Sequence, residues 1–293
     1  MEINVFVEAI ASELKIRLGE DYEVKIKKIE KNNCVNYHGI LIRKEDENVA
    51  PTIFLDGFYQ DYMKGASVEM LAENVLKIYR EYAPEGDVDT EFYRSFSSVS
   101  DKLSFKLVNI AKNKEQLKDI PYKAFEDLAL VPICLVKDKR IGAGSITVKN
   151  SHLEFWEISK KELWEQALEN ANKINRPKIR NVADAIGSLA PEGLYEMSIM
   201  VLSNDKQAFG AAVMLNDGVL KELSETLHDD LFIIPSSVHE VLAVPATVCN
   251  GDPSFLRLMV KEVNSTVVKD EDVLSDNVYY YDSCLDRLGV YSA

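Results

Sequence analysis

The sequence predicts an α+β fold: antiparallel sheets with helices packed on one face, divided into two or three subdomains. Three observations point there. Extended runs follow one another with short connections, which favours antiparallel pairing over crossovers. Groupings of two strands and a helix recur in each third of the chain, as expected when helices segregate to one side of an antiparallel sheet. The chain has 293 residues, 46% of them apolar and 28% charged. That is an ordinary globular mix, long enough to bury a core without disulfides or metal. Length alone suggests about two domains. The pattern of elements suggests subdomains at 1–86, 87–180 and 181–293.

Residues 3–18 read as a helix. Ile3, Phe6, Val7, Ile10, Leu14 and Leu18 make one apolar stripe, and Gly19 stops it. "YEVKIKKI" (22–29) alternates like a half-exposed strand. "VNYHGILI" and "APTIFLD" read as two more strands, with Pro51 at a tolerated first position and Gly39 suggesting a bulge. A helix begins near Ser67, with Val68, Leu71, Val75, Ile78, Tyr79 and Tyr82 on one side. Pro84 and Gly86 end it. "PEGDVDTE" (84–91) is the first boundary.

"KLSFKLVNI", "DLALVPICLV" and "RIGAGSITV" read as strands, the last two joined by a hairpin turn at "VKDKRIG". "NSHLEFWEI" (150–158) also reads as extended. "SKKELWEQALENANKI" (159–174) carries a capping box from Ser159 and Glu162, with Ile158 and Leu163 at staple positions. "NRPKIRN" (175–181) is a basic island and a linker candidate. Its cations suit a phosphate contact or, more simply, a solvated segment after a helix C-terminus. In the last third, "LYEMSIMVL", "GAAVML", "LFIIP" and "HEVLAVPA" read as strands. Helices are expected at about 217–227 and 254–267, and "LSDNVYYYD" closes the pattern.

Net charge is −14. Repulsion at that charge argues against direct binding to nucleic acid or an anionic membrane. The acids are dispersed, with short clusters at "KEDEN" (44–48), "EGDVDTE" (85–91) and "KDEDVLSD" (269–276). The N-terminal stretch lacks the basic region and apolar core of a signal peptide. Cys34, Cys134, Cys249 and Cys284 are widely spaced, without C-x-x-C. Reduced thiols in a cytoplasmic protein are expected.

No complete catalytic or cofactor motif is present. "GAGS" (142–145) is neither G-x-G-x-x-G nor a P-loop, so no cofactor is expected. The three aromatics of "YYYD" lie in acidic surroundings, which favours packing over base stacking. The weak catalytic candidates are His152, Glu154, Ser237, His239 and Glu240. Read as a strand, "NSHLE" puts His152 and Glu154 on one face, as a proton-transfer or metal pair would need. "PSSVHEVLAVP" (235–245) lacks the second histidine of H-E-x-x-H and the glycines of a nucleophile elbow. A scaffold role is the simpler expectation for that stretch. Ile233, Ile234, Val238, Leu242 and Val244 would face the core, Pro235-Ser236-Ser237 would turn, Glu240 would lie outside and His239 at a partly exposed edge.

Taken in order, "NYHGILI", "APTIFLDGFYQDY", "DLALVP", "NSHLEFW", "GAAVML", "FIIPSSVHEVLAVP" and "VLSDNVYYYD" resemble a bacterial domain-of-unknown-function family. That family is frequent in gut anaerobes and their mobile elements, and the chain is more faintly similar to the YtpQ-like bacterial proteins. The resemblance spans roughly residues 3–282. It implies a bacterial cytoplasmic protein and brings no activity with it. The leading expectation is a non-enzymatic protein that binds another macromolecule, most simply a protein. The alternatives are a hydrolase or metal-dependent enzyme built on the His/Glu cluster, and an acidic nucleic-acid mimic acting as an inhibitor.

Overall fold

The computed structural model describes residues 1–44, 47–83, 91–138, 142–189, 191–250 and 253–291. These form two compact units, Met1–Glu91 with Val136–Gly144, and Phe92–Leu135 with Ser145–Ala293. Among the described residues, every pairing of named strands whose register is defined is antiparallel, which gives the α+β class expected from the short connections. No helix among them is long and apolar enough to cross a membrane.

In the first unit, helix α1 (Ile3–Leu18) precedes strands β1 (Tyr22–Glu30), β2 (Asn36–Lys44) and β3 (Thr52–Phe54), then helices α2 (Asp56–Met63) and α3 (Val68–Tyr82). The sheet order is β1-β2-β3. The α1 stripe buries Phe6, Val7, Ile10 and Leu14 against Val24, Ile40, Ile42 and Ile53 of the sheet and Leu71, Val75 and Tyr79 of α3. Burying such side chains contributes about 1.5–3 kcal/mol each. Ser67 caps α3 by accepting from the Met70 amide at 3.3 Å. Tyr82, expected on the packed side, is exposed instead. Gly39 makes no bulge. It pairs in regular register with Lys27 and Phe54, and a Cβ there would come within 2.7 Å of Thr52 Cγ2.

The second unit begins with α4 (Phe96–Val99), β4 (Leu103–Asn109), α5 (Lys114–Leu117) and β5 (Lys123–Phe125), and holds most of β6 (Leu128–Asp138) and the second half of β7 (Gly142–Thr147), the rest of those two strands falling in Val136–Gly144 of the first unit. These strands form one sheet, with β4 and β5 flanking β6 and β7 also paired to β6. Next come α6 (Asn150–Phe155), α7 (Lys160–Ile174), β8 (Pro177–Asn181), α8 (Val182–Ile186), β9 (Met200–Asn204), α9 (Val219–Leu227), β10 (Leu231–Ile234), β11 (Val241–Pro245), α10 (Ser254–Thr266), β12 (Tyr279–Asp282) and β13 (Arg287–Val290). The second sheet has the order β13-β12-β10-β11-β9-β8.

The capping box of α7 forms as its sequence requires. The Glu162 amide donates to Ser159 Oγ at 3.2 Å, and the Ser159 amide to Glu162 Oε2 at 2.8 Å. Those bonds hold the Glu162 carboxyl below its ordinary pKa. Period two splits the six-stranded sheet into two faces. Leu202, Leu231, Ile233, Val241, Ala243 and Tyr279 join the main core with α7 and β4. Phe232, Ile234 and Val244 face the opposite way, where Leu256 and Val260 of α10 cover them.

Four segments depart from the sequence expectations. "GAAVML" is a buried 3-10 turn, Gly210–Leu215. An apolar run enclosed on all sides carries no period to separate helix from strand. "NSHLEF" is α6, not a strand. "LYEMSIMVL" is extended only from Met200. "NRPKIRN" is not a linker, because Pro177–Asn181 is an edge strand of the six-stranded sheet. The expected turn at "VKDKRIG", the stop at Pro84 and Gly86, and most of "EGDVDTE" lie wholly or partly outside the described residues.

Candidate functional site

The stretch from Pro235 to Pro245 links β10 to β11. Pro235 and Ser236 accept through their carbonyls from the Ser275 and Leu274 amides, each at 3.0 Å. Ser237 bridges Val273, and Ser237 Oγ accepts from the His239 amide at 3.1 Å. Regular extension resumes only at Val241. Ile233, Ile234, Val238 and Val244 are buried, Leu242 is half-buried and Glu240 is exposed. Strict period two would put Glu240 on one face with Val238, Leu242 and Val244, and the bend at 238–239 releases it from that face.

The His239 ring is held from both sides. The Phe209 amide donates to Nδ1 at 3.3 Å, and Nε2 lies 3.2 Å from Asp272 Oδ1. With Nδ1 accepting, the ring proton sits on Nε2 and is donated to Asp272. Phe209, in a left-handed conformation, stacks on the imidazole with centroids 5.9 Å apart. Ser203 Oγ donates to the His239 carbonyl at 2.8 Å. A base that accepts a serine proton needs a free ring nitrogen facing the hydroxyl. Here Nδ1 holds a backbone turn, Nε2 holds a carboxylate, and Ser237 spends its oxygen on a main-chain amide. Glu240 reaches Arg180 at 3.9 Å on the surface, a pair of small energetic weight.

His152 lies in α6, where residues two apart are about 200° apart around the axis. Glu154 is therefore exposed on another side. His152 Nδ1 accepts from the Lys149 amide at 3.1 Å and lies 3.2 Å from Tyr93 Oη. The ring meets Tyr93 edge-on and packs by Trp156. Burial, and secondarily the Lys149 charge, hold its pKa below the ordinary imidazole value, which keeps Nδ1 available as an acceptor. Burial pushes the Tyr93 hydroxyl pKa up. The role is a helix cap built into an aromatic cluster. Among the described residues, no hydrogen bond, ion pair or ring contact joins the His152 set to the His239 set.

A polar centre surrounds Asp127, whose hydrogen-bond partners among the described residues include neither His152 nor His239. Its carboxylate accepts from Tyr279 Oη and from Ser275 Oγ at 2.7 Å, while Asn109 Nδ2 reaches it at 3.5 Å and the Leu274 carbonyl at 3.1 Å. Tyr279 is fully buried, and burial with the Asp127 carboxylate raises its hydroxyl pKa. This network ties the β5–β6 turn to the chain's last third. The partners are up to 152 residues apart, so no local pattern announces them. The acids near the C-terminus are likewise engaged. Asp230 accepts from Tyr280 and Ser283, Asp282 from the Cys284 and Leu285 amides, and Asp286 from Tyr281. The described residues contain no group of three or more His, Cys, Asp or Glu placed to hold a metal ion.

Several of the exposed apolar side chains lie on the β8–β9 hairpin. Its long connection, described at 182–189 and 191–199, carries Ile186, Leu189, Tyr195 and Met197 exposed to solvent, Leu189 at 84%. Tyr195 Oη donates to Asp184, and Asn181 Nδ2 reaches the Tyr195 carbonyl at 3.4 Å. On β8, Lys178 and Arg180 share one face with Arg176 just before the strand. Sequence reasoning singled out those three cations but placed them in a linker.

The fold and these sites define a two-unit α+β protein of antiparallel sheets in which His152 is held by a backbone amide and His239 by a backbone amide and a carboxylate. The chain belongs to the family of unknown function DUF5688, whose model matches residues 3–283. No curated protein and no solved structure matches it.

Proposed function

We propose that this chain is a non-enzymatic cytoplasmic protein that acts by binding another protein through the β8–β9 connection. The observation that carries the reading is the set of apolar side chains left in solvent there: Ile186, Leu189, Tyr195 and Met197. Long connections are frequent carriers of function, and apolar patches exposed to solvent mark interaction sites. The four cysteines are widely spaced and make no C-x-x-C, as suits a reducing compartment. The enzyme alternative loses support from the engaged ring nitrogens of His239 and from the separate settings of His152 and Glu154. The mimic alternative needs carboxylates free to imitate phosphates. In "KDEDVLSD", Asp272 is held by His239 and Asp276 accepts from Asn264 Nδ2 at 2.8 Å.

Affinity isolation of the full chain from its native host tests the proposal, with Leu189→Asp and Met197→Asp as variants. A partner protein retained by the wild type and lost from the variants, at unchanged melting temperature, is the expected result. A partner indifferent to both substitutions, or turnover of a small molecule by the pure protein, overturns it.

A further inference from the structure

β8 ends the six-stranded sheet, so its outer edge has no strand partner among the described residues. The hydrogen bonds define which groups face outward. Val182 N–H donates to the Ile199 carbonyl at 2.8 Å, and Asp205 N–H to the Arg176 carbonyl at 3.3 Å. Alternation in an antiparallel pair then turns Arg176, Lys178, Arg180 and Val182 toward β9. The N–H and C=O groups of Ile179, the N–H of Asn181 and the C=O of Pro177 face away from it, while the Asn181 carbonyl, at the N-cap of α8, takes the first bond of that helix. Pro177, which lacks an N–H, sits where only an outward donor is forfeited.

The side chains of this edge are sorted by face. Lys178 and Arg180 lie opposite Ser203 and Val201, while Ile179 lies opposite Leu202 on the other face and is part-exposed. Arg180 has Glu240 nearby. Among the described residues Arg176 and Lys178 have no carboxylate partner. An added strand would therefore meet Arg176, Lys178 and Arg180 on one face, with Asp205 opposite Arg176 and Glu240 near Arg180, and an apolar side chain on the other. In a chain of net charge −14, this is a local reversal of sign, and it selects an acidic partner.

Building on the protein-binding reading above, we propose that the outer edge of β8 takes an extended segment of the partner protein as an added strand. That segment alternates acidic and apolar residues. Its acids face Arg176 and Lys178, its apolar side chains flank Ile179, and its backbone bonds Ile179 and Asn181. Lysine and proline on an edge also discourage indiscriminate pairing. On β8 they leave one short stretch of usable donors and impose a charge requirement on what pairs there.

The test titrates the full chain with a labelled peptide of alternating glutamate and valine, long enough to span β8. Controls are the lysine–valine peptide, the glutamate–valine peptide N-methylated along one edge, and oligothymidylate. Expected are saturable binding of the acidic peptide, slowed exchange of the Ile179 and Asn181 amides, and loss of binding on N-methylation. Arg176→Glu with Lys178→Glu weakens binding by about tenfold or more. Ile179→Pro abolishes it by deleting an outward donor while sparing the bonds to β9. If that variant fails to fold, the N-methylated peptide on wild-type protein tests the same donors. Equal binding of the N-methylated or lysine peptide, preference for oligothymidylate, or no binding of the acidic peptide overturns the proposal. The Leu189→Asp isolation is independent of β8, so its outcome separates failure of this inference from failure of the protein-binding reading.

Discussion

Gly210→Ala is a direct probe of the His239 turn. The φ of Gly210 is not in the left-handed region, so the position demands space and not an unusual backbone. An added Cβ would lie 2.3 Å from Ser203 Oγ, 2.5 Å from the His239 carbonyl oxygen and 2.7 Å from the Asn204 nitrogen. The first contact is a side chain that can rotate, at the cost of its bond to the His239 carbonyl. The other two are backbone atoms of β9 and of the bend, which cannot move without disturbing strand pairing. Overpacking of this kind costs about 1–3 kcal/mol. Alanine returns about 0.4–1 kcal/mol by restricting the unfolded chain, and three simultaneous short contacts place the cost near the top of its range. The expected net is a destabilisation of about 2 kcal/mol, or a melting temperature lower by about 4–8 °C. Urea unfolding measures it. The Ser203→Ala, Gly210→Ala double variant should recover less than half of the loss, because the backbone contacts remain. A Gly210→Ala protein within about 0.5 kcal/mol of wild type would refute the tight approach of the 209–210 turn to His239.

Two further predictions concern a cap and a carboxylate. Ser159→Ala removes one half of the α7 capping box and should cost about 1 kcal/mol, read as a lower urea midpoint; an unchanged midpoint would mean that the box carries no stability. Asp230 has its pKa held below the ordinary 3.8 by hydrogen bonds from Ser283 and then Tyr280. A depressed folded pKa gives stability that is present above the unfolded value and lost as pH falls through the folded one. Asp230→Asn should therefore be less stable than wild type near neutrality, with the gap closing below about pH 4. A gap that stays constant across that window would remove the carboxylate from the acid response.

Much of the candidate site was legible residue by residue and illegible as an assembly. His239 and His152 stood out because histidines are few. Their partners, the Phe209 amide, Asp272, Tyr93 and the Lys149 amide, are chosen by how the chain folds back on itself. The cations of 176–180 were visible, yet the length and polarity of "NRPKIRN" suit a linker as well as an edge strand. Pro177 was the available clue, since proline in a sheet is confined to edges, first positions and bulges. "NSHLEF" was misread because its two polar candidates sit two apart, a spacing that imitates a strand, whereas Leu153 and Trp156 at helical spacing face the core.

The sequence by itself determined what local chemistry decides. The α1 stripe, the Ser159–Glu162 box and the alternation of β1 each follow from interactions within a few residues, and the short connections between strands point to the antiparallel class. The tertiary structure alone decided the rest. It made "GAAVML" a 3-10 turn, added β5 and β13, placed β8 at an edge, and buried Tyr279 on Asp127. Those outcomes rest on contacts between residues far apart in the chain, where the energy of burial and hydrogen bonding overrides weak local preference.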